Sequence, residues 1–141
     1  MTQIIKTTTP GKERGQLSKA IVVTIRAFMR QGAPDQETND MVAFVILALK
    51  EISTGIDQSV VAWEKRGYWV KADKYRLEWK WAGEMADRLQ HAFKAEDWGK
   101  IAEYLLNTMT RFSNIKVSDR HRMGQPWVNA YTNYKNMLNR K

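Results

Sequence analysis

The sequence predicts an all-α fold, a bundle of four or five helices that forms one domain. Apolar residues recur at intervals of three and four along most of the 141 residues, which is the period of an amphipathic helix. No alternation of apolar and polar residues bounded by turn signals occurs, so no strand is predicted. The three prolines, Pro10, Pro34 and Pro126, each lie where a helix could begin, a position that tolerates proline. A chain of this length can bury its own core, so one domain is expected over residues 1–141.

The first helix is predicted to begin at Pro10 or at Gln16 and to end at Gln31. The residues at the start of the chain, about 1–15, are predicted to form a short, flexible, basic arm. A single apolar stripe with spacings of four, four and three defines the core-facing side of this helix. The stripe consists of Leu17, Ile21, Ile25 and Phe28.

The second helix is predicted to begin near Asp35 and to end near Arg66. Its segment 41–49 is apolar all round, and a helix without a polar face in a water-soluble protein must lie at the centre of the fold. Gly55 interrupts the apolar stripe at a cost of about 1 kcal/mol relative to alanine. We therefore predict either a kink or a close helix crossing at Gly55. The stripe after the apolar segment consists of Leu49, Ile52, Ile56, Val60 and Trp63.

The third helix is predicted over residues 68–93 and carries two apolar stripes, so it must touch two neighbours, or one neighbour and a ligand. The first stripe consists of Leu77, Trp81, Met85 and Leu89. The second stripe consists of Tyr68, Ala72, Tyr75 and Trp79. The fourth helix is predicted from Glu96 to Phe112, with Glu96 and Asp97 in its first turn, where acidic side chains suit the helix dipole. A basic loop without periodicity follows over residues 113–125, and the last helix is predicted to begin at Pro126. Its stripe consists of Trp127, Tyr131, Tyr134 and Leu138.

The composition is that of a water-soluble protein, with 43% hydrophobic and 27% charged residues. The sequence contains no cysteine, which excludes disulfides and thiolate metal sites and is compatible with a reducing compartment. The N-terminus lacks the apolar region of a secretory signal. The longest apolar run, 41–49, is far shorter than the roughly 20 residues that span a bilayer. A cytoplasmic protein without membrane contact is therefore expected.

Positive charge is concentrated at the two ends of the chain, whose formal net charge is +8. Residues 1–30 carry six Lys and Arg against one acidic residue, and residues 111–141 carry seven against one. Residues 31–110 carry ten Lys and Arg against thirteen Asp and Glu. Basic ends on a nearly neutral centre favour a polyanionic partner such as DNA or RNA. The alternative is that the charge serves solubility alone.

The segment 64–81 carries the clearest functional signal, because aromatic and basic side chains alternate along it. Flat aromatic faces beside fixed positive charge are suited to stacking bases and holding nucleic-acid backbones. Trp79 and Trp81 lie about 200° apart on a helix, so the aromatic residues cannot all face one core. In the alternative interpretation these aromatic residues form the core or helix seams and the basic residues their solvated rim. The apolar stripe gives a separate expectation: Trp81 lies on it and should be buried, whereas Trp69 lies off it and should be exposed. The candidate nucleic-acid-binding residues here are Lys65, Arg66, Trp69, Lys71, Lys74, Arg76 and Lys80.

The loop that follows the fourth helix is the second candidate site. A basic loop ahead of a helix can bring side chains and free backbone N–H groups to phosphates, although it could equally be a solvated connection. Its candidate residues are Arg111, Lys116, Arg120, His121 and Arg122. His121 could donate to phosphate or act as an acid–base group with His91, the only other histidine. No metal or cofactor is predicted, because the sequence lacks Glu-x-x-His units, zinc-ligand spacing, a phosphate loop and a dinucleotide motif.

These observations predict a non-catalytic protein that binds nucleic acid through its phosphates, without sequence preference, as a subunit of a larger assembly. In size, charge and helix content the chain resembles the small subunits of CRISPR effector complexes and the helical coat proteins of filamentous archaeal viruses. This resemblance carries no individual residue over to the chain. The alternative is a protein–protein adaptor or oligomeric scaffold that uses the aromatic helix as its interface. A third hypothesis is a peripheral membrane protein with basic termini and interfacial aromatic residues.

Overall fold

The computed structural model describes residues 10–31 and 33–140, and five helices with no strand lie within these ranges. The prediction of an all-α bundle is therefore confirmed. The helices are α1 Pro10–Met29, α2 Gln36–Lys65, α3 Trp69–Lys94, α4 Trp98–Arg111 and α5 Ala130–Leu138. Residues 1–9 of the predicted basic arm lie outside the described residues, and residues 10–15 belong to α1. None of these helices is both long and apolar enough to cross a membrane.

Helix α2 is the centre of the bundle and packs against α1, α3 and α5, while α4 packs against α3 and α1. In the segment 41–49, seven of nine residues are buried and the other two are half-buried. The all-round apolar segment is thus covered on every side, as the sequence indicates. Side chains from the other four helices join α2 in the main core.

Both ends of α2 are fixed by local hydrogen bonds. At its start the Asp35 carboxylate accepts from the Thr38 backbone N–H at 2.9 Å, and the Thr38 hydroxyl accepts from the Asp35 N–H at 2.7 Å. The hydrogen bonds from Thr38 lower the pKa of Asp35. At its end the Tyr68 N–H donates to the Trp63 carbonyl at 2.9 Å and the Gly67 N–H donates to the Glu64 carbonyl at 3.0 Å, which is a Schellman motif.

The short turn between α2 and α3 depends on Gly67, whose φ of 80° lies in the left-handed region. Because the chain reverses at this residue, α3 begins two positions later, and the two long helices form an antiparallel hairpin. We call residues 60–75 the hairpin tip. The predicted boundary between the second and third helices is confirmed.

The predicted start of the fourth helix at Glu96 is wrong, because α4 begins at Trp98. Glu96 has a φ of 54° and ends α3 in a Schellman motif, as Gly67 ends α2. In this motif the Asp97 N–H donates to the Ala92 carbonyl at 2.9 Å. Asp97 caps α4, since its carboxylate accepts from the Lys100 N–H at 3.1 Å. The acidic pair thus forms the turn, and neither residue lies inside the helix.

The predicted start of the last helix at Pro126 is also wrong, because α5 begins at Ala130 after Asn129, which has a φ of 66°. Trp127 lies outside the helix and is buried in a small cluster on α1 and α2, and its indole N–H donates to the Glu37 carboxylate at 3.2 Å. The Asp40 carboxylate of α2 accepts from the backbone N–H at the start of α5 at 2.9 Å. Contacts with α2 therefore determine where α5 begins.

The structure shows no close helix crossing at Gly55, which corrects that part of the prediction for this residue. Helix α2 continues through it, and a Cβ atom there would meet no heavy atom within 4 Å. The close approach lies at Gly83 of α3, where a Cβ atom would be 3.0 Å from the Ser53 hydroxyl oxygen. The spacing of apolar residues marks the interface but does not reveal where the two backbones come closest.

We expect Gly55→Ala to raise the free energy of unfolding by about 0.5–1 kcal/mol, because alanine favours the helix and restricts the unfolded chain. The matched control is Gly83→Ala, which should gain less or lose stability, since Ser53 must move to admit the methyl group. Urea unfolding of both variants measures the difference. A loss of stability in Gly55→Ala would contradict the open environment seen at that position.

Candidate functional site

The hairpin tip exposes large apolar side chains where α3 begins. The side chains of Tyr68, Trp69 and Val70 are 53%, 60% and 76% exposed. Exposure of Trp69 was predicted from its position off the apolar stripe, and it is confirmed. Together with Gly67 and Lys71 these residues line a hollow of about 540 Å³. The site is thus an open concave surface with an aromatic side chain at its edge.

The hollow surrounds the N-terminus of α3, which is favourable for anions. Tyr68 occupies the capping position without donating or accepting a side-chain cap hydrogen bond, and the first turn contains no acidic residue. The first backbone N–H groups of a helix have no partner within the helix, and they carry the positive end of its dipole. An anion in the hollow can accept hydrogen bonds from these groups.

Four basic side chains lie on the hairpin tip and are free of acidic partners. These residues are Lys65, Arg66, Lys71 and Lys74, all exposed. In the part of the chain that the structure describes, no carboxylate lies within 4 Å of any of their charged groups. The ammonium of Lys71 lies 4.5 Å from the centre of the Trp63 ring, so a cation–π contact holds it beside the hollow. The tip therefore presents uncompensated positive charge.

Two of the basic residues predicted for the site already have acidic partners. Arg76 donates to the Glu64 and Asp73 carboxylates, each at 2.7 Å. The hydrogen bonds to Glu64 and then to Asp73 raise the pKa of Arg76 above its ordinary value. The Lys80 ammonium lies 3.9 Å from the Glu84 carboxylate. Arg76 thus joins the two helices of the hairpin, and its charge is compensated.

Arg14 of α1 is a basic residue that sequence reasoning missed. Its guanidinium lies 4.9 Å from the centre of the Tyr75 ring and 5.3 Å from that of Trp79. Burial raises the pKa of Tyr75, and the charge of Arg14 opposes that rise. Only the tertiary structure reveals this contact, because Arg14 and the two aromatic residues are distant in sequence.

Trp79 and Trp81 pack on the same partner, which corrects the expectation that they face opposite sides. Their ring centres are 6.0 Å apart, and they lie 6.4 and 5.3 Å respectively from the ring of the buried Phe112 at the end of α4. The Arg111 guanidinium lies 5.3 Å from the Trp81 ring. The indoles are long enough to turn towards each other across Phe112, so the Trp79 end of the second stripe is covered within the chain, whereas Tyr68 at its other end is exposed.

The buried part of the apolar stripe through Trp81 begins later in the chain than predicted. Met85 and Leu89 are buried, but Trp81 is only half-buried and Leu77 is 72% exposed. The expectation that Trp81 is buried is therefore correct only in part. Helix α4 covers the second half of α3 and ends at Arg111 beside Trp81, so the turn that carries Leu77 has no helix over it.

The basic loop lies against α1 and is separate from the hairpin tip. The Arg26 guanidinium donates to the Val117 carbonyl at 2.8 Å, which attaches the loop to α1. Along the helix axis, Arg26 lies about 18 Å from Arg14, at 1.5 Å per residue. The loop residues Lys116, Arg120 and Arg122 are exposed, and His121 is half-buried. The sequence-predicted residues thus form two surfaces, with Arg111 on the side of the hairpin.

The two histidines do not form a catalytic pair. The His121 Nδ1 atom accepts from the Met123 N–H at 3.2 Å, and His121 lines a hollow of about 460 Å³ beside Arg26 and Arg30. His91 lines a different hollow on α3 and α4. Within the described residues no group of three or more His, Asp and Glu side chains is placed to hold a metal ion.

Comparison of the chain with protein-family models, curated proteins and solved structures gave no match. The candidate function is therefore interpreted from the geometry of the hairpin tip itself.

Proposed function

We propose that the protein binds nucleic acid through its phosphates and acts without catalysis as a subunit of a larger assembly. The observation that carries this proposal is the hairpin tip, where the exposed Trp69 lines one hollow with Lys71 and three further basic side chains without acidic partners lie within the same 60–75 segment. A single strand presents alternating phosphates and flat bases, and this surface offers both kinds of partner. The proposal places the protein in the cytoplasm, together with its nucleic-acid partner.

In this binding mode the phosphates occupy the hollow at the N-terminus of α3. They accept from backbone N–H groups and from Lys71 and Lys74, while a base stacks on the Trp69 indole. Arg14 and Arg111, which lie on aromatic rings further along the same side, extend the positive surface. None of these contacts reads the edge of a base, so binding is independent of sequence.

Binding should weaken steeply as salt rises, because each neutralised phosphate releases a counterion. The slope of log affinity against log salt is about −0.7 to −0.9 per phosphate, so four or five contacts give about −3 to −4.5. Titration of a labelled oligonucleotide at several salt concentrations measures this slope. Two oligonucleotides of unrelated sequence serve as the control and should bind equally. Absence of binding at low salt would contradict the proposal.

A protein–protein adaptor is the second candidate function, and two exposed side chains favour it. Val70 and Leu77 lie seven residues apart on one face of α3 and are 76% and 72% exposed. Exposed apolar groups on one helix face are suited to a protein partner or to self-association. Under this hypothesis the oligonucleotide titration shows no binding at any salt concentration, and light scattering shows the protein self-associated. In the proposed assembly the same face serves contact between subunits.

A further inference from the structure

A second concave site lies at the opposite end of α3 from the hairpin tip, about 36 Å away along the helix axis. It is a cavity of about 430 Å³ between the start of α2, the end of α3, the start of α4 and helix α5. Four aromatic rings line it: Phe93, Trp98, Tyr131 and Tyr134. The volume lies in the range of small-molecule sites, which are largely apolar with a few placed polar groups.

The hydroxyl of Tyr134 is the most informative polar group in the cavity. The Tyr134 side chain is only 4% exposed, and its hydroxyl makes no hydrogen bond within the described part of the chain. No fully buried side-chain nitrogen or oxygen there lacks a partner, so this hydroxyl opens into the cavity. Burial raises the pKa of Tyr134, so the hydroxyl remains a donor. A hydroxyl that lines the cavity without a partner in the protein can donate to a bound ligand.

Charged and amide side chains lie around the aromatic rings. Lys94 and Lys135 line the cavity, and no carboxylate lies within 4 Å of either ammonium in the described ranges. The Lys135 ammonium is held 4.7 Å from the centre of the Tyr131 ring. Glu96 and two amide side chains, those of Asn39 and Gln90, complete the polar lining. The cavity thus offers cations for an anionic group and both donors and acceptors for a heterocycle.

We propose that this cavity binds one nucleotide. The base stacks on the half-buried Trp98 indole, and its polar edge pairs with the Tyr134 hydroxyl and the amides. The phosphate lies between Lys94 and Lys135, and the Glu96 carboxylate accepts from a sugar hydroxyl. The nucleotide comes either from free solution or from a bound strand. This inference does not depend on strand binding at the hairpin tip, since it rests on different residues.

Isothermal titration calorimetry with AMP, GMP, CMP and UMP tests the proposal. Inorganic phosphate and adenosine, which each carry only part of a nucleotide, are titrated for comparison. We expect saturable binding of at least one nucleotide, at least tenfold tighter than that of inorganic phosphate. Trp98→Ala should abolish it. Tyr134→Phe should weaken it at least threefold and leave thermal stability unchanged, because the hydroxyl has no partner in the fold. Tyr104→Phe, on another surface, is the matched control and should change nothing.

The outcomes separate the two sources of the nucleotide from each other and from the hairpin tip. Binding of free nucleotides that is sensitive to Tyr134→Phe supports a free ligand. If only an oligonucleotide binds and Tyr134→Phe weakens it, the nucleotide belongs to a strand. If neither probe responds to Tyr134→Phe, or phosphate alone binds as tightly as nucleotides, the proposal is overturned, whether or not an oligonucleotide binds at the hairpin tip.

Discussion

Reversal of the charge at three lysines of the hairpin tip, Lys65, Lys71 and Lys74, to glutamate should lower oligonucleotide affinity at least about 100-fold. Each tenfold loss corresponds to about 1.4 kcal/mol of binding free energy. The variant replaces three unpaired cations with three anions that repel phosphate. The fold should survive, because all three side chains are exposed and glutamate at residue 71, in the first turn of α3, suits the helix dipole. Titration of the same labelled oligonucleotide at low salt measures the loss.

The matched control changes the net charge by the same amount on another surface. It carries the substitutions Lys19→Glu, Arg88→Glu and Lys100→Glu, at exposed residues on α1, α3 and α4 outside the hairpin tip. This variant should retain most of the affinity. Equal losses in the two variants would show that binding depends on total charge alone and would overturn the assignment of the hairpin tip.

Arg76 is deliberately left in place in this experiment. Its guanidinium joins Glu64 of α2 to Asp73 of α3. Reversal to glutamate would bring three carboxylates together and disturb the hairpin itself. The sequence shows a basic residue at this position, but only the structure shows that its charge is already compensated.

Local signals in the sequence predict the architecture well. The apolar period and the flanking residues place α2 between Asp35 and Arg66, because the capping box and the left-handed Gly67 act within a few residues of the helix ends. Two predicted helix starts, at Glu96 and at Pro126, differ from the structure. The start of α4 depends on Glu96, a residue other than glycine in the left-handed conformation. The start of α5 depends on tertiary contacts of Trp127. Glu96 adopts a conformation that its side chain disfavours, and Trp127 is held by contacts with α1 and α2. Neither effect has a signal in the local sequence.

The candidate site is only partly predictable, for a related reason. Alternating aromatic and basic residues identify the hairpin tip, and the position of Trp69 off the apolar stripe predicts its exposure correctly. The contribution of Arg14 depends on α1 crossing beside Tyr75. The cavity that contains Tyr134 depends on α5 closing against the end of α3. Helical periodicity specifies the face on which a residue lies, but the partner across that face follows from tertiary packing.

Phe112→Ala should lower the free energy of unfolding by about 3–5 kcal/mol, the usual cost of removing a buried aromatic side chain. Phe112 is 4% exposed and contacts the rings of Trp79 and Trp81, so its removal opens a void between α3 and α4. Trp69→Ala should change stability by less than about 0.5 kcal/mol, as is usual for an exposed residue. Urea unfolding of the two variants compares the aromatic cluster with the hairpin tip directly.

The same pair of variants separates packing from binding. Trp69→Ala should weaken oligonucleotide binding by about 1–3 kcal/mol through the lost base stack, although its fold is intact. If Trp69→Ala destabilises the protein as much as Phe112→Ala does, the indole serves the core and not a ligand. If Trp69→Ala changes neither stability nor binding, bases do not stack at the tip, and the lysines alone hold the strand. Retained stability with weakened binding is the result expected of a surface aromatic residue that contacts nucleic acid.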